Sequence, residues 1–319
     1  MSKQVTRPNL FVVGNLRSGT TLLYELLRQH PEIYFPEEKE PNFFNKDLYE
    51  ESLKFNGKNL YFHITTQEEY FSLYQQATGE KYLGDATTTY IYSKSAPEAI
   101  FRFNPDAKII IMIREPVECM RSLHSRLLNY LIETEPDFEK ALSLEELRKK
   151  NIQVPPKARY PSYLFYREKS RYLDNILRYM EFFPVNQIYV IIFENLIRNK
   201  LEELRFLFEF LGVDPDFKPE FTIVNANMTS RFAIARNMIQ SKRFKHLVRN
   251  LIPTQQLYYK IKKLSEKILF RKSNRQSLDP TLKARLKDEL RSSVDELNSV
   301  LLKNGLIRCN LLDVWHYRN

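Results

Sequence analysis

The residues with the clearest chemical potential lie near the start of the chain. Gly14-Asn15-Leu16-Arg17-Ser18-Gly19-Thr20-Thr21 puts two glycines, one cation and three hydroxyls into eight residues. The whole chain of 319 residues has only seven glycines, so two within six positions point to a backbone requirement, such as a positive φ or a close approach. The spacing suits a phosphate cradle. Backbone N–H groups of the loop and of a following helix aim at an anion, and the hydroxyls of Ser18, Thr20 and Thr21 add bonds. Thr20 stands where a G-x4-G-K-[ST] loop has lysine, so Mg²⁺-dependent nucleoside triphosphate chemistry fits poorly. Taken alone, the stretch also fits a strand-turn-helix junction that merely needs a tight turn.

The flanking elements supply the context a cradle needs. Residues 10–13 (LFVV) are an apolar run ending at Gly14, and Leu22, Leu23, Leu26 and Leu27 then recur at helical spacing up to Pro31. Residues 81–85 (KYLGD), 108–113 (KIIIMI) and 187–193 (QIYVIIF) read as further strands, and the continuous apolar runs match a parallel sheet buried on both faces. Pro116 opens a helix to about Leu131, residues 163–183 read as one long helix before Pro184, and the 201–211 helix ends at Gly212. Strands alternating with helices predict an α/β fold with a central parallel sheet. After Asn237 only helices are expected, the last one starting with Asp279 as N-cap and Pro280 at its first position. The chain reads as a single domain: an α/β core over 1–237, a basic helical segment over 238–277, and a C-terminal helix and tail over 278–319.

Composition narrows the function classes. Hydrophobic residues make up 43% and charged residues 28%, which excludes a disordered or fibrous chain. Two cysteines, Cys119 and Cys309, exclude a disulfide framework or a four-cysteine zinc site, and five scattered histidines argue against a histidine metal site. The first residues lack an apolar signal region and no run approaches a bilayer span, so a cytoplasmic location is expected. The net charge of +10 is local. Residues 241–276 hold eleven Lys and Arg against one acid, Glu266, so this window accounts for all of it. Within it Leu257, Ile261, Leu264 and Ile268 recur at helical spacing. The lysines around them fit a solvated face, a basic wall beside an acceptor cleft, or a patch touching anionic membrane. Nucleic acid is not among the expected partners.

RSGTTLL after an apolar strand resembles the 5′-phosphosulfate loop of sulfotransferases that use 3′-phosphoadenosine 5′-phosphosulfate (PAPS). Arg114-Glu115-Pro116 followed by Ser122 resembles that family's second element. HPEIYFPEEKEPNFFNKD resembles the K-E-x-x-F-F segment of its heparan-sulfate and bacterial branch. GDATTTYIYSKSAPEAI resembles the G-E-x-[ST]-P-x-Y segment, with Thr88 in place of the expected Pro. RYMEFFPVNQIYVIIFENL, EFLGVD and the VNANMTSR loop extend the likeness to about residue 230, and a weaker one takes in the last helix and Trp315.

The resemblance implies a P-loop-like three-layer fold, PAPS as donor, adenosine 3′,5′-bisphosphate as product, and no metal. It assigns Arg17, Ser18, Gly19, Thr20 and Thr21 to the 5′-phosphosulfate, Arg114 and Ser122 to the 3′-phosphate, and Arg231 to a loop closing over the cofactor. Arg17 stands where relatives often have Lys, which implies electrostatic stabilisation rather than proton donation. Cys119 stands where relatives often have Arg, and the lysine common in the closing loop has no counterpart. Glu40 takes the place of the catalytic base, with His63 and His124 as fallbacks and Asp85 as an orienting group. The acceptor is a hydroxyl or amine on a small molecule, glycan or lipid. Competing readings are a P-loop kinase with a degenerate loop and a non-enzymatic binder of polyanions or membrane surfaces.

Overall fold

The computed structural model describes residues 7–221, 228–230, 270–272 and 278–318. Five parallel strands form the central sheet: β1 (Leu10–Gly14), β2 (Ile33–Tyr34), β3 (Tyr82–Asp85), β4 (Lys108–Ile113) and β5 (Ile188–Ile192), in the order β2-β3-β1-β4-β5. Among the described helices are α1 (Thr20–Leu27), α2 (Lys46–Asn56), α3 (Gln67–Ser72), α4 (Ala96–Phe103), α5 (Pro116–Asn129), α6 (Phe138–Ser143) and α7 (Glu145–Lys149). They continue as α8 (Tyr166–Lys169), α9 (Tyr172–Met180), α10 (Phe193–Arg198), α11 (Lys200–Leu211), α12 (Pro280–Lys303) and α13 (Leu311–Val314).

The three layers follow from the apolar strands. Phe11 and Val13 of β1, with Ile109, Ile111 and Ile113 of β4, pack on the face covered by α4, α5, α9 and α12. Leu10 and Val12, with Ile110 and Met112, pack on the other face under α1 and α11. Successive side chains of a strand point to opposite faces, so a sheet covered on both sides needs an unbroken apolar run. Each such side chain contributes about 1.5–3 kcal/mol on burial. The chain leaves β1 towards β3 and β2 on one side, and β4 and β5 lie on the other. The carboxyl ends of β1 and β4 therefore meet at the point where the strand order reverses, the usual place for a ligand crevice.

Two expectations need correction. Residues 163–183 are not one helix: a 3₁₀ turn at Pro161–Leu164 leads into α8, the chain turns extended at Arg171 (φ −87°, ψ 92°), and α9 follows. Tertiary contacts override the local periodicity there. Asn15 Nδ2 donates to the Lys169 carbonyl at 3.1 Å and to the Tyr172 hydroxyl at 3.0 Å, and a continuous helix would have occupied that carbonyl. The segment after Asn237 is not wholly helical either. Phe270–Lys272 forms a strand antiparallel to Met228–Ser230, a non-local pairing that helical spacing nearby cannot reveal. The remainder of the basic window, including the 257–268 helix reading, lies outside the described residues, as does Arg231.

Candidate active site

The loop between β1 and α1 is built on two left-handed residues, Arg17 (φ 75°) and Gly19 (φ 97°). Gly19 has no side-chain alternative: a Cβ there would lie 2.5 Å from the Phe193 ring, and Gly14 meets the Met112 carbonyl oxygen at 2.6 Å in the same way. Side chains outside the loop hold its backbone. Tyr92 accepts from the Leu16 N–H at 2.7 Å, and the Cys119 thiol donates to the Leu16 carbonyl at 3.0 Å. Ser18 Oγ donates to the Asn15 carbonyl at 2.6 Å, so this hydroxyl closes the turn. The first N–H groups of α1 have no intrahelical acceptors, as at any helix start. Gly19→Ala is expected to lower the melting temperature and to abolish anion binding by the loop, because left-handed strain of ~1–2 kcal/mol adds to the ring clash. Thermal melts and equilibrium dialysis with adenosine 3′,5′-bisphosphate check both effects.

Arg114 leaves the end of β4 and reaches back to the loop. Its Nη1 donates to the Arg17 carbonyl at 3.0 Å and its guanidinium lies 4.6 Å from the Phe193 ring centre. Its Nε is buried with no hydrogen-bond partner among the described residues. Tyr172 donates to the Arg114 carbonyl at 2.7 Å, which ties the break between α8 and α9 to this strand end. Arg17 Nε donates to Ser122 Oγ at 3.1 Å, linking the loop to α5. Glu115 caps α5, accepting from Val117 N at 3.2 Å and Glu118 N at 2.7 Å. It also accepts from Tyr317 OH at 2.8 Å, while Glu194 accepts from Glu115 N at 3.1 Å and from Trp315 Nε1 at 2.8 Å. The C-terminal residues are thereby fastened beside Arg114.

Glu40 faces the same cleft, of about 190 Å³, that Arg17, Gly19, Thr20, Thr21 and Arg114 line. Its backbone is left-handed (φ 62°), as is that of Asn42 (φ 58°). The Glu40 N–H donates to the Ala86 carbonyl at 3.2 Å, and Asn42 Nδ2 donates to the Glu40 carbonyl. On the side chain, Oε1 accepts from Lys39 Nζ at 3.1 Å and from Thr88 Oγ1 at 3.1 Å. Oε2 has no such partner among the described residues. Burial pushes this carboxyl up, but Lys39, Arg159 and the Thr88 hydrogen bond outweigh it and hold it down at about 2. Thr88 therefore has a role the sequence pattern did not show: a Pro there would have no hydroxyl to give Glu40.

The other sequence-predicted groups fall elsewhere. Asp85 is fully buried at the end of β3, accepting from Thr87 at 2.7 Å, Tyr70 at 2.8 Å and Tyr90 at 2.9 Å. Burial raises its carboxyl to about 6 against these bonds. Tyr90 OH in turn accepts from Phe43 N at 2.9 Å, so Asp85 braces the Glu40 segment from behind. His124 is buried against Phe138 and Tyr166 with Nε2 2.8 Å from the Glu135 carbonyl, and burial lowers its pKa. His63 is exposed and does not line the cleft. Phe193, Arg126 and Tyr163 line it without having been singled out. Phe193 is the last residue of the 187–193 run read as a strand; β5 ends one residue earlier, and Phe193 opens α10 at the cleft. A larger groove of about 780 Å³ runs beside β5, α11 and Cys309 and holds none of the predicted site residues.

The cleft joins a glycine loop and helix start able to face an anion, three arginines and one ionised carboxylate, an arrangement suited to moving an anionic group onto a nucleophile. Comparison with known proteins agrees. The chain is 34% identical over 116 residues to the membrane-associated sulfotransferase kil1 of Dictyostelium discoideum, covering 36% of this chain and 22% of that protein. It is 24% identical over 208 residues to human heparan sulfate glucosamine 3-O-sulfotransferase 5, covering 65% of this chain and 54% of that one. The chain thus spans at most about half the length of these curated relatives. A solved sulfotransferase from Alicyclobacillus acidocaldarius superposes with a TM-score of 0.60 at 28% identity, covering 76% of this chain and 96% of that one. The signature of the Sulfotransferase family matches residues 8–218. The chain belongs to the Sulfotransferase family, a family of transferases.

Proposed function

We propose that this sulfotransferase takes its sulfuryl group from PAPS and passes it to a hydroxyl or amine on a glycan, small-molecule or lipid acceptor, with Glu40 as base. The observation that carries the reading is that Glu40 shares one cleft with the loop, Arg17 and Arg114. The residues present fit an anionic nucleotide. Arg114 holds a buried Nε without a hydrogen-bond partner among the described residues, and Gly19, packed too closely on the Phe193 ring for any side chain, leaves the loop backbone bare at the start of α1. When bound, PAPS supplies the sulfuryl group and a phosphate leaving group.

The chain's own groups then divide the work. The N-terminus of α1, with Thr20 and Thr21, orients the anion. Arg17 stabilises charge on the leaving oxygen as a fixed cation, since a guanidinium does not give up its proton. Arg114 and Ser122 hold the 3′-phosphate. Glu40 Oε2 accepts the acceptor's proton while Lys39 and Thr88 fix Oε1. Incubation with PAPS and an acceptor panel, followed by mass spectrometry, should show the gain of one sulfuryl group without added metal.

Arg114→Ala and Ser122→Ala should both weaken binding of adenosine 3′,5′-bisphosphate in calorimetric titration. The arginine change costs more, because a charged hydrogen bond contributes ~1.5–3 kcal/mol and a neutral one ~1 kcal/mol. Unchanged affinity in both variants removes the 3′-phosphate assignment.

A further inference from the structure

The Glu40 end of the cleft carries more positive charge than the base needs. Arg159 lies with its guanidinium carbon 5.7 Å from the Tyr61 ring centre and 5.4 Å from that of Tyr163, a residue that lines the cleft with Glu40. Its charge reaches Glu40, since it helps depress that carboxyl's pKa. The backbone is anchored: the Arg159 carbonyl accepts from Ser52 Oγ at 2.9 Å and Asn56 Nδ2 at 2.8 Å. The guanidinium, however, forms no ion pair within 4 Å of a carboxylate among the described residues, although Glu51, on the same side, is bound to Ser162. Arg159 adjoins the cleft through Tyr163, whereas Arg126 lines it directly and lies 4.6 Å from the Tyr130 ring centre, again with no ion pair among the described residues. Lys39 is taken by Glu40. Two cations, Lys39 and Arg159, thus act on one carboxylate, and Arg126 is a third cation in the same cleft. A half-buried guanidinium between two aromatic rings, with no carboxylate within ion-pair reach among the described residues, keeps its fork of donors open to an incoming anion.

We propose that Arg159, framed by Tyr61 and Tyr163, selects the acceptor by binding a carboxylate or sulfate carried near the hydroxyl or amine that Glu40 deprotonates. A planar guanidinium fork matches either anion with two parallel hydrogen bonds, and the rings hold the fork flat. Arg126 adds charge to the cleft lining. The inference rests on the sulfotransfer reading for its acceptor, but its test separates the two.

The probes are a matched pair, 4-nitrophenyl β-glucuronide and 4-nitrophenyl β-glucoside, which differ only in carboxylate against hydroxymethyl. The parent protein should favour the glucuronide in kcat/KM by about 10- to 100-fold, the range of a charged hydrogen bond. Arg159→Met should bring that ratio close to one, and Arg159→Lys should restore part of it. Any effect of Arg159 on Glu40 basicity acts on both probes alike and cancels in the ratio. Affinity for adenosine 3′,5′-bisphosphate should be the same in all three proteins, which reports an intact fold. A parent with no preference, a ratio that survives Arg159→Met, or no binding or turnover of either probe overturns the assignment. Equal turnover of both probes leaves sulfotransfer standing and removes the subsite. Preferential glucuronide binding to the nucleotide-loaded parent, lost in Arg159→Met but with no transfer, keeps the subsite and removes sulfotransfer.

Discussion

Glu40→Gln is expected to lower kcat by about 10²–10⁴-fold, the range for loss of a general base, while leaving nucleotide affinity intact. The amide keeps the size of the side chain and its bond from Thr88, and loses the charge and the basicity. The environment of Glu40 makes a second, more diagnostic prediction. A folded carboxyl held down at about 2 stays ionised throughout the range in which the protein can be assayed. The parent should therefore show no acid limb in kcat/KM from this group near the usual carboxylate range. Lys39→Met removes the strongest opposing charge and leaves burial to act, so an acid limb should move up towards that range. Steady-state rates from pH 3.5 to 8 decide it. A parent limb at ordinary carboxylate pH that ignores Lys39 would assign the base to another group.

The largest effect on stability is expected away from the cleft, at Arg148. Its Nη1 and Nη2 donate to the two oxygens of Glu133 at 2.7 and 2.8 Å, with Tyr166 donating to the same carboxylate at 2.8 Å. The two charged side chains are 1% and 0% exposed. Arg148→Met keeps most of the volume and strands a buried carboxylate, at a cost of about 3–5 kcal/mol. The pH dependence should also change sign. Burial pushes the parent Glu133 carboxyl up, but Arg148 and the other donors win and lower it. Its stabilisation is thus present above the unfolded carboxylate pKa and is lost as pH falls through the folded one. Without Arg148, burial acts with less opposition, the folded pKa rises above the unfolded one, and acid should stabilise the variant. Adding Glu133→Gln should recover part of the loss. Denaturant melts at pH 5 and pH 8 measure all three proteins.

Elements buried on both faces were the most legible in the sequence. The 108–113 run became β4 residue for residue, and Asp279 caps α12 by accepting from Leu282 N at 2.8 Å. Local signals failed where distant contacts decide the outcome. The stop between α8 and α9 serves Asn15, more than a hundred residues earlier, and nothing in residues 163–183 announces it. The loop, Arg114 and Glu40 were readable as spaced motifs, and the fold gathers them at one crevice. Their tuning was not readable. That Ser18 turns inward to the Asn15 carbonyl, and that Lys39 and Thr88 grip a single oxygen of Glu40, depend on side-chain directions that spacing leaves open. Arg159 carries no motif at all, and only the two tyrosine rings beside it mark it out.

The fastening of the C-terminal residues beside Arg114 has an optical consequence. Trp315 is the sole tryptophan of the chain, is 1% exposed, and binds Glu194, the immediate neighbour of the Phe193 ring that touches both Gly19 and Arg114. Selective excitation therefore addresses a single indole whose N–H bond ends on the residue after Phe193, a ring that lines the cleft. Any occupant that draws Arg114 away from Phe193 should change the emission of that indole, so cleft occupancy can be followed in unlabelled protein by steady-state or stopped-flow fluorescence.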